Sequence, residues 1–409
     1  MRQGTGDRRQ ETTKTHAPPT ISRAPEIHPP PTPAPVMRLA SRLRRVQLHV
    51  PAMDKATKAF LFDLLNTPSP TGFEMPGQRK WAAWVKPSAD AVACDAYGST
   101  WATLEGKSPF KVMLEAHADE IGFMVKAVTK EGYLHVDRIG GSDYATARGR
   151  KLIFQGDLGP VTGIIGNTAI HIRDRSGGEK APEVHELYVD VGADSEKDVA
   201  KLGLRVGHPA VYADGVDDFG SNRLVGRALD NRIGGFIIAE TLRRLHKDRK
   251  KLNCTVIAAN CVQEEIGGYG ARMLTYRLQP DVAVCLDVTH ATDTPGIEKS
   301  KHGAVKLGGG PSITHGTCCH PLVIQRLVKT ADKHSIPLQH ESSSRYSGTD
   351  TDSIYHIREG TPSALVSLPL RYMHSVVECA DLSDIEHVVS LLSAFVLSIK
   401  PGDSFAQSL

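Results

Sequence analysis

Four short apolar runs recur along the chain, and stretches with helical periodicity separate them. The runs occupy residues 111–116, 254–262, 282–286 and 363–368. Because polar residues rarely interrupt them, we interpret these runs as strands buried on both faces. Residues 232–246, 321–334 and 385–399 place apolar side chains three and four positions apart, which predicts amphipathic helices. Strands that alternate with helices predict an α/β fold whose sheet is mostly parallel and flanked by helices.

The stretch from residue 122 to residue 214 has a different pattern. It contains short alternating runs punctuated by glycine, namely GFMVKAV, YLHVDRI, KLIFQ, VTGIIG, HELYVDV and PAVYA. This pattern is typical of a small β-rich domain. We therefore expect an insertion at 122–214 between two parts of one α/β domain, at 53–121 and 215–400, with a tail at 401–409.

The first 52 residues differ from the rest in composition. Eight prolines fall between Pro18 and Pro35, and residues 1–50 hold nine Lys/Arg against three Asp/Glu. This composition predicts a disordered basic extension. A start at Met53, a basic tether and a transit peptide are the alternative interpretations. The remaining residues hold 40 basic and 43 acidic side chains (49 − 9 and 46 − 3), which argues against a nucleic-acid groove.

Cysteine content and hydropathy restrict the cellular location. The chain has seven cysteines, an odd number, and no CxxC pair. Reduced thiols therefore fit better than a disulfide framework, and we expect a cytoplasmic protein. No apolar run approaches the ~18 residues of a membrane helix, so we expect no membrane partner.

Acidic and imidazole side chains follow all four apolar runs. His117 and Asp119 follow the first run, Glu264 and Glu265 the second, Asp287 the third, and His374 the fourth. Ligand sites of open α/β sheets lie outside the carboxyl ends of the strands. The sequence therefore predicts that these side chains meet at one edge of the sheet.

Asp230 precedes the first predicted helix and has two interpretations. Taken alone, it is as easily a helix N-cap as a functional carboxylate. Together with the other clusters it becomes a candidate for bridging two metal ions. Imidazole and carboxylate donors without thiolate suit Zn²⁺, Co²⁺ or Mn²⁺, and paired ions ~3.5–4 Å apart are a recurring device of hydrolases.

Spacing suggests further roles. His117 and Asp119 are two positions apart, so on a strand they face the same way and the carboxylate can orient the imidazole. Glu264 and Glu265 are adjacent, so we expect one to be a ligand and the other a general base. His290 and Asp293 follow the third run, where they either line the pocket or cap a turn.

Seven motifs resemble metallopeptidase family 42, the glutamyl aminopeptidase and tetrahedral aminopeptidase group. They are NTPSPTGFE (66–74), AHADEIGFMV (116–125), ALDNRIGG (228–235), QEEIGGYGA (263–271), LDVTHATDTPG (286–296), SGTDTDS (347–353) and LPLRYMHSVVE (368–378). The resemblance covers about residues 53–399. It departs from the family pattern at Arg345 and Tyr346, which precede the GTD motif.

The resemblance implies a two-metal aminopeptidase that hydrolyses N-terminal residues from short peptides. One ion would be held by His117 and Glu265, the other by Asp287 and His374, with Asp230 as the bridge. Asp119 would orient His117, and Glu264 would be the general base. A related two-metal deacylase and a non-catalytic scaffold of the same fold are the alternatives.

The resemblance also implies a β-barrel-like insertion that serves dimerisation, and a tetrahedral dodecamer as the homo-oligomer. An obligate interface of this kind needs apolar surface. The candidates within the insertion are Phe154, Ile164, Ile165, Leu187, Tyr188 and Val211.

Overall fold

The computed structural model describes residues 53–173, 178 and 180–409, so the predicted extension at 1–52 lies outside the described residues. The helices are α1 (Lys55–Asn66), α2 (Met75–Val85), α3 (Glu196–Lys201), α4 (Leu229–Lys247), α5 (Tyr269–Leu278), α6 (Lys299–His302), α7 (Pro321–His334), α8 (Thr351–Ile354) and α9 (Leu382–Leu397). The strands are β1 (Ala91–Cys94), β2 (Thr100–Leu104), β3 (Lys111–His117), β4 (Gly122–Val128), β5 (Tyr133–Ile139), β6 (Lys151–Gly156), β7 (Gly159–Ile165), β8 (Tyr188–Asp190), β9 (Pro209–Tyr212), β10 (Asp217–Phe219), β11 (Arg223–Gly226), β12 (Thr255–Cys261), β13 (Val282–His290), β14 (Ser312–Gly316), β15 (Gln339–Ser343), β16 (Ser363–Leu370) and β17 (Glu378–Asp381).

The main layer is an eight-stranded sheet in the order β1-β2-β12-β3-β13-β16-β14-β15. Its four central strands, β12, β3, β13 and β16, run parallel to one another, and they are the four strands predicted from the apolar runs. Antiparallel pairing occurs towards the edges, between β1 and β2, β2 and β12, and β14 and β16. The predicted α/β class, with a largely parallel sheet and flanking helices, is confirmed.

Strand β13 is longer than the apolar run that predicted it. The run ends at residue 286, but β13 continues through His290 because it pairs with β16 up to His290 and Leu370. Asp287 therefore lies within a strand, opposite Ser367, instead of following the strand end. Cross-strand pairing, which the composition of the run does not reveal, sets this boundary.

The insertion forms a closed barrel of six strands in the order β4-β5-β8-β7-β6-β9. These six strands are the six short alternating runs, so the predicted β-barrel-like insertion is confirmed. Phe123, Leu134, Leu152, Phe154 and Val189 fill the barrel and are fully buried. The barrel follows β3 directly, which brings it close to the carboxyl end of that strand.

The list of candidate interface residues in the barrel was mostly wrong. Phe154, Ile165, Leu187 and Val211 are buried within the subunit, so they cannot contact another chain. Phe154, Ile165 and Leu187 belong to the core of the barrel. Val211 lies on the opposite face of β9 from the core residues Ala210 and Tyr212, and it is buried there. Ile164 is exposed, as are Tyr133, Leu158 and Val206, which the sequence pattern did not single out.

No helix in the described part of the chain is long and apolar enough to cross a bilayer. All seven cysteines are free thiols, and Cys94 alone among them is exposed.

Candidate metal centre

His117 is the last residue of β3, and its imidazole is almost completely buried. Its Nδ1 lies 3.4 Å from Asp119 Oδ1 and 3.2 Å from the Asp119 carbonyl oxygen. Its Nε2 lies 3.3 Å from Asp230 Oδ1 and 3.8 Å from Asp287 Oδ1. Asp119 therefore holds the imidazole at Nδ1, while Nε2 is directed at two carboxylates.

Asp119 does not face His117 by strand alternation, because β3 ends at His117. Its carboxylate is held instead by three other donors: the Thr71 hydroxyl at 2.8 Å, and the backbone N–H groups of Glu264 at 3.1 Å and Glu265 at 3.2 Å. One carboxylate thus connects the imidazole to the turn that carries both glutamates. Thr71 belongs to the NTPSPTGFE motif, but no pattern in the sequence assigned it this contact.

Asp230 lies in an irregular turn at the start of α4. Ala228 is the N-cap and has a left-handed conformation (φ 59°), and Asp230 itself has non-helical dihedral angles (φ −78°, ψ 120°). These angles also occur at N-cap residues and do not decide between the two interpretations of Asp230, but the positions of its carboxylate oxygens favour the functional one. Its Oδ1 lies 3.3 Å from His117 Nε2, and its Oδ2 lies 3.3 Å from His374 Nε2. Each oxygen of this carboxylate faces a different imidazole.

Glu264 and Glu265 follow β12 in a turn that starts with a left-handed residue, Gln263 (φ 63°). The turn removes the strand alternation that would separate the two side chains. Glu264 Oε2 lies 3.9 Å from His117 Nε2, and Glu265 Oε1 lies 3.7 Å from His374 Nε2. The two glutamates therefore approach different imidazoles.

His374 lies in the loop after β16 and also has a left-handed backbone (φ 61°). Its Nδ1 is 3.2 Å from the carbonyl oxygen of Gly141, which follows β5 of the barrel. A Cβ atom at position 141 would lie 2.5 Å from Nδ1 and 2.7 Å from Cε1 of His374, so glycine is required for this approach. The barrel thus contributes a backbone acceptor that orients an imidazole of the α/β domain.

Glu378, at the start of β17, is a buried residue that the sequence reasoning missed. Its carboxylate accepts hydrogen bonds from the N–H groups of Leu229 at 2.8 Å, Asp230 at 3.2 Å and His374 at 2.7 Å. It therefore holds together the two irregular backbone segments that present Asp230 and His374. The only sequence signal was its place in the LPLRYMHSVVE motif.

Glu120 belongs to a separate buried network. Its carboxylate accepts hydrogen bonds from Arg227, from Arg232 Nη1 at 3.3 Å and from Ser69 N at 2.8 Å. Two guanidinium groups therefore neutralise this carboxylate, which directly follows Asp119 in the chain. This network supports the start of α4, which carries Asp230.

The donor atoms form three overlapping groups within the described residues. They are His117–Asp230–Asp287, Asp230–Glu265–His374 and His117–Glu264–Glu265, each with atoms within 4.8 Å of one another. None of these groups contains both Asp287 and His374. His117 and Glu265 occur together in the third group, as the family resemblance implied. In the other two groups Asp287 lies with His117, and Glu265 lies with His374, which is a different division of the ligands. The parallel pairing of β3 with β13 explains the first pair.

The electrostatics of the cluster fit divalent cations. Burial raises the pKa of Glu264 and of Glu265 to about 8, and it raises the pKa of Asp287 well above its usual range. For Asp230, burial is outweighed by hydrogen bonds with both imidazoles, which lower its pKa. Carboxylates thus outnumber the cationic groups that could neutralise them. Closely packed carboxylates and imidazoles are the donor set that Zn²⁺, Co²⁺ and Mn²⁺ take in hydrolases.

An open cleft of about 440 Å³ reaches this cluster. Glu264, Glu265 and Asp287 form its acidic floor, and Ser347 to Thr349 and Met373 form other parts of its wall. His290 also lines the cleft. Asp293 instead accepts hydrogen bonds from Arg371 Nε at 2.8 Å and Nη2 at 2.7 Å. His290 therefore matches the first of the two interpretations left open, whereas the pairing of Asp293 with Arg371 matches neither.

The sheet, the barrel and the acidic cleft have the features expected of a metallohydrolase. A model of the M42 glutamyl aminopeptidase family matches residues 98–391. The chain therefore belongs to the M42 family and is an aminopeptidase, an enzyme that hydrolyses peptide bonds.

Individual relatives agree with this assignment. The chain is 34% identical to the lysyl aminopeptidase of Pyrococcus furiosus over 345 residues, which cover 83% of this chain and 96% of the relative. It is similar in structure to an aminopeptidase from Desulfurococcus kamchatkensis, with a TM-score of 0.79, 33% identity, and coverage of 85% and 97% of the two chains. It is also similar to a Pyrococcus horikoshii peptidase that can assemble into a tetrahedron or a large octahedral shell, with a TM-score of 0.75, 26% identity, and coverage of 84% and 100%.

Proposed function

We propose that this M42 aminopeptidase removes N-terminal residues from short peptides and that it works with two divalent metal ions that share Asp230. The contact of each Asp230 oxygen with a different imidazole, both at 3.3 Å, carries this proposal. Two ligand atoms ~2.0–2.2 Å from one ion, at a roughly tetrahedral angle, lie about 3.4 Å apart. His117 with Asp287, and His374 with Glu265, would complete the two donor sets.

Bound in this way, the two ions would acidify a water molecule and polarise the scissile carbonyl. The imidazole and carboxylate donors favour Zn²⁺, Co²⁺ or Mn²⁺. Within this arrangement, Asp119 keeps the tautomer of His117 in which Nε2 is free to act as a ligand. The carbonyl of Gly141 does the same for His374.

Glu264 is proposed as the general base. Its side chain lines the cleft. The two proposed donor sets, His117 with Asp287 and His374 with Glu265, share Asp230 and leave Glu264 without a role as a ligand. Burial raises its pKa, and a carboxylate at the edge of the cleft can accept a proton from water and pass it to the leaving amine. The hydrogen bond from its backbone N–H to Asp119 fixes the position from which it acts.

The acidity of the cleft supports exopeptidase action. A substrate that enters along Glu264, Glu265 and Asp287 meets carboxylates, and the part of the chain that the structure describes places no Lys or Arg side chain in this lining. A free α-ammonium group is attracted to such a surface, whereas an acylated N-terminus carries no charge. We therefore expect the enzyme to require a free N-terminal amine.

We also propose that the enzyme is a homo-oligomer in which the barrel makes the dimer contact. The barrel exposes Tyr133, Leu158, Ile164 and Val206, which are apolar side chains on its outer surface. The tetrahedral and octahedral assemblies of the Pyrococcus horikoshii relative support a closed particle. Such a particle would admit short peptides and exclude folded proteins.

A single set of assays tests this function. The enzyme is stripped with a chelator and titrated with Zn²⁺, Co²⁺ or Mn²⁺, and hydrolysis is measured on a panel of aminoacyl chromogenic substrates and their N-acetylated forms. We expect activity to saturate at two ions per chain and to be restricted to free amines. Release of acetate from the acetylated substrates would indicate a deacylase instead. Equal release of the chromophore from them would refute the requirement for a free amine. Full activity with one ion per chain would refute the shared role of Asp230.

A further inference from the structure

Cys318 and Cys319 lie in the turn between β14 and α7, away from the metal centre, and have no part in the proposed function. Side chains of consecutive residues in a strand point to opposite faces. In this turn, however, both thiols lie on the same side, with their Sγ atoms 3.9 Å apart. This separation is about twice the length of a disulfide bond, so the two sulfurs are close without being bonded.

The separation is close to that of two sulfurs bound to one metal ion. Thiolates bind Zn²⁺ at ~2.3 Å, and two of them at a tetrahedral angle lie about 3.8 Å apart. Little movement of Cys318 or Cys319 is therefore needed for both sulfurs to hold one soft ion.

The thiols line a cavity of about 600 Å³. Ser363, the first residue of β16, also lines it, whereas His374 follows the other end of that strand. The cavity is therefore at the opposite edge of the sheet from the metal centre. Phe110, Tyr355 and Phe405 give it aromatic walls.

His320, which follows the two cysteines and also lines the cavity, provides a second observation. Its Nδ1 is buried without a hydrogen-bond partner. Burial lowers the pKa of His320, so its imidazole is neutral at physiological pH. This buried nitrogen is an unused polar group in the same cavity, but it does not form a three-donor group with the two sulfurs.

The local structure also favours a thiolate. The hydrogen bond from Cys319 lowers the pKa of Cys318 and raises the pKa of Cys319 itself, so Cys318 is the thiol that ionises first. The turn leads into α7, a helix of 14 residues with Pro321 at its start, and thiols near a helix N-terminus ionise more easily. The thiolate is the form that binds soft ions.

We propose that Cys318 and Cys319 form a two-thiol site for a thiophilic species, either a soft d¹⁰ metal ion or a trivalent arsenical, separate from the catalytic ions. Among the described residues, groups of three metal donors occur only around the catalytic centre. The two-thiol site therefore suits species that need only two sulfur donors from the protein. With phenylarsine oxide, the arsenic–oxygen bond is replaced by two arsenic–sulfur bonds. The oxygen leaves as water with both thiol protons, and no electrons are transferred.

Two probes test the proposal on the intact enzyme. Phenylarsine oxide should add once per chain, and the adduct should lie on the tryptic peptide 307–326, whose only cysteines are Cys318 and Cys319. Cadmium should produce an ultraviolet sulfur-to-cadmium charge-transfer band, which carboxylate and imidazole ligands of the catalytic centre do not give. Binding of one probe alone would identify which of the two sources the site accepts.

Variants and reducing agents separate a two-thiol site from a single reactive thiol. Cys318→Ser and Cys319→Ser should each abolish both signals, while Cys94→Ser, which removes the exposed lone cysteine, should keep them. In the wild-type enzyme, dithiothreitol should reverse the arsenical adduct, and mercaptoethanol at equal thiol concentration should not. This comparison needs no variant, so it tests the proposal even if a serine variant fails to fold. An adduct elsewhere in the chain, reversal by the monothiol, or no binding of either probe would overturn the proposal.

Discussion

Replacing Asp119 with asparagine keeps the size of the side chain but removes its charge and one acceptor oxygen. In the structure, Oδ1 accepts from Glu264 N and lies 3.4 Å from His117 Nδ1, while Oδ2 accepts from Thr71 Oγ1 and Glu265 N. An asparagine oxygen can replace only one of these two oxygens. If it replaces Oδ1, the Thr71 hydroxyl can turn and accept, but the N–H of Glu265 then faces an amide donor.

The expected effect follows from these contacts. One buried N–H without an acceptor costs about 1–3 kcal/mol. Loss of the carboxylate behind a metal-binding histidine typically lowers metal affinity or activity about 10–100-fold, which corresponds to about 1.4–2.7 kcal/mol. We therefore expect Asp119→Asn to bind metal at the His117 side about 10–100-fold more weakly and to lose kcat, with a smaller change in KM.

The pH dependence has a defined sign. The hydrogen bond with His117 and its charge outweigh burial and lower the pKa of Asp119 in the folded protein. A carboxyl group with a depressed pKa stabilises the fold above its unfolded pKa of about 3.9, and this contribution is lost as pH falls through the folded value. Measured on the chelated protein, the stability difference between wild type and Asp119→Asn should be largest near neutral pH and should shrink below about pH 3.9.

Asp384→Asn is the matched control. Asp384 is equally buried and accepts two backbone hydrogen bonds, from Gly308 and Gly310, both at 2.7 Å, but it does not line the cleft. Its variant should lose stability in urea denaturation and keep the metal affinity measured by chelator competition. Wild-type metal affinity and kcat in Asp119→Asn would refute the role assigned to Asp119. Equal loss of metal affinity in both variants would show a general effect on folding.

Three further predictions follow from the same geometry. Glu264→Gln should keep both metals and lose about 10²–10⁴-fold in kcat, whereas Glu265→Gln should weaken metal binding in calorimetric titration; the reverse pattern would exchange their roles. Gly141→Ala should push the His374 imidazole by roughly 1 Å and cost about 100-fold in kcat/KM, with a wild-type circular dichroism spectrum; unchanged kinetics would contradict the required close approach. Ile164→Asp, on the outer face of the barrel, should reduce the oligomer mass measured by light scattering; an unchanged mass would place the interface elsewhere.

Continuous apolar runs and helical periodicity were enough to predict the α/β class, the four central strands and several helices. Helix α7 occupies the same residues, Pro321–His334, that its periodicity predicted. Such elements are readable because burial on one or two faces leaves a periodic pattern along the chain. The edge strands β14 and β15 were missed because their residues are largely polar and gain their place by pairing with other strands.

The sequence also determined which side chains meet, because the carboxyl ends of parallel strands share one edge of the sheet. It did not determine which of them pair. Asp287 lies beside His117 because β13 is the neighbour of β3, and Glu265 reaches His374 because Gln263 turns the chain after β12. Strand order and left-handed turns depend on contacts between distant segments.

The supporting contacts depend on tertiary structure to an even greater extent. Glu378 accepts backbone hydrogen bonds from residues about 150 positions earlier in the chain, and the carbonyl of Gly141 in the barrel orients His374 in the other domain. Every residue has a backbone carbonyl, so the sequence does not mark the one that makes this contact. A glutamate in a loop also looks the same in the sequence whether it is exposed to solvent or buried. The sequence by itself therefore determined which chemical groups are available at the site. The tertiary structure decided which groups orient the imidazoles and carboxylates, because orientation depends on distances that sequence separation does not encode.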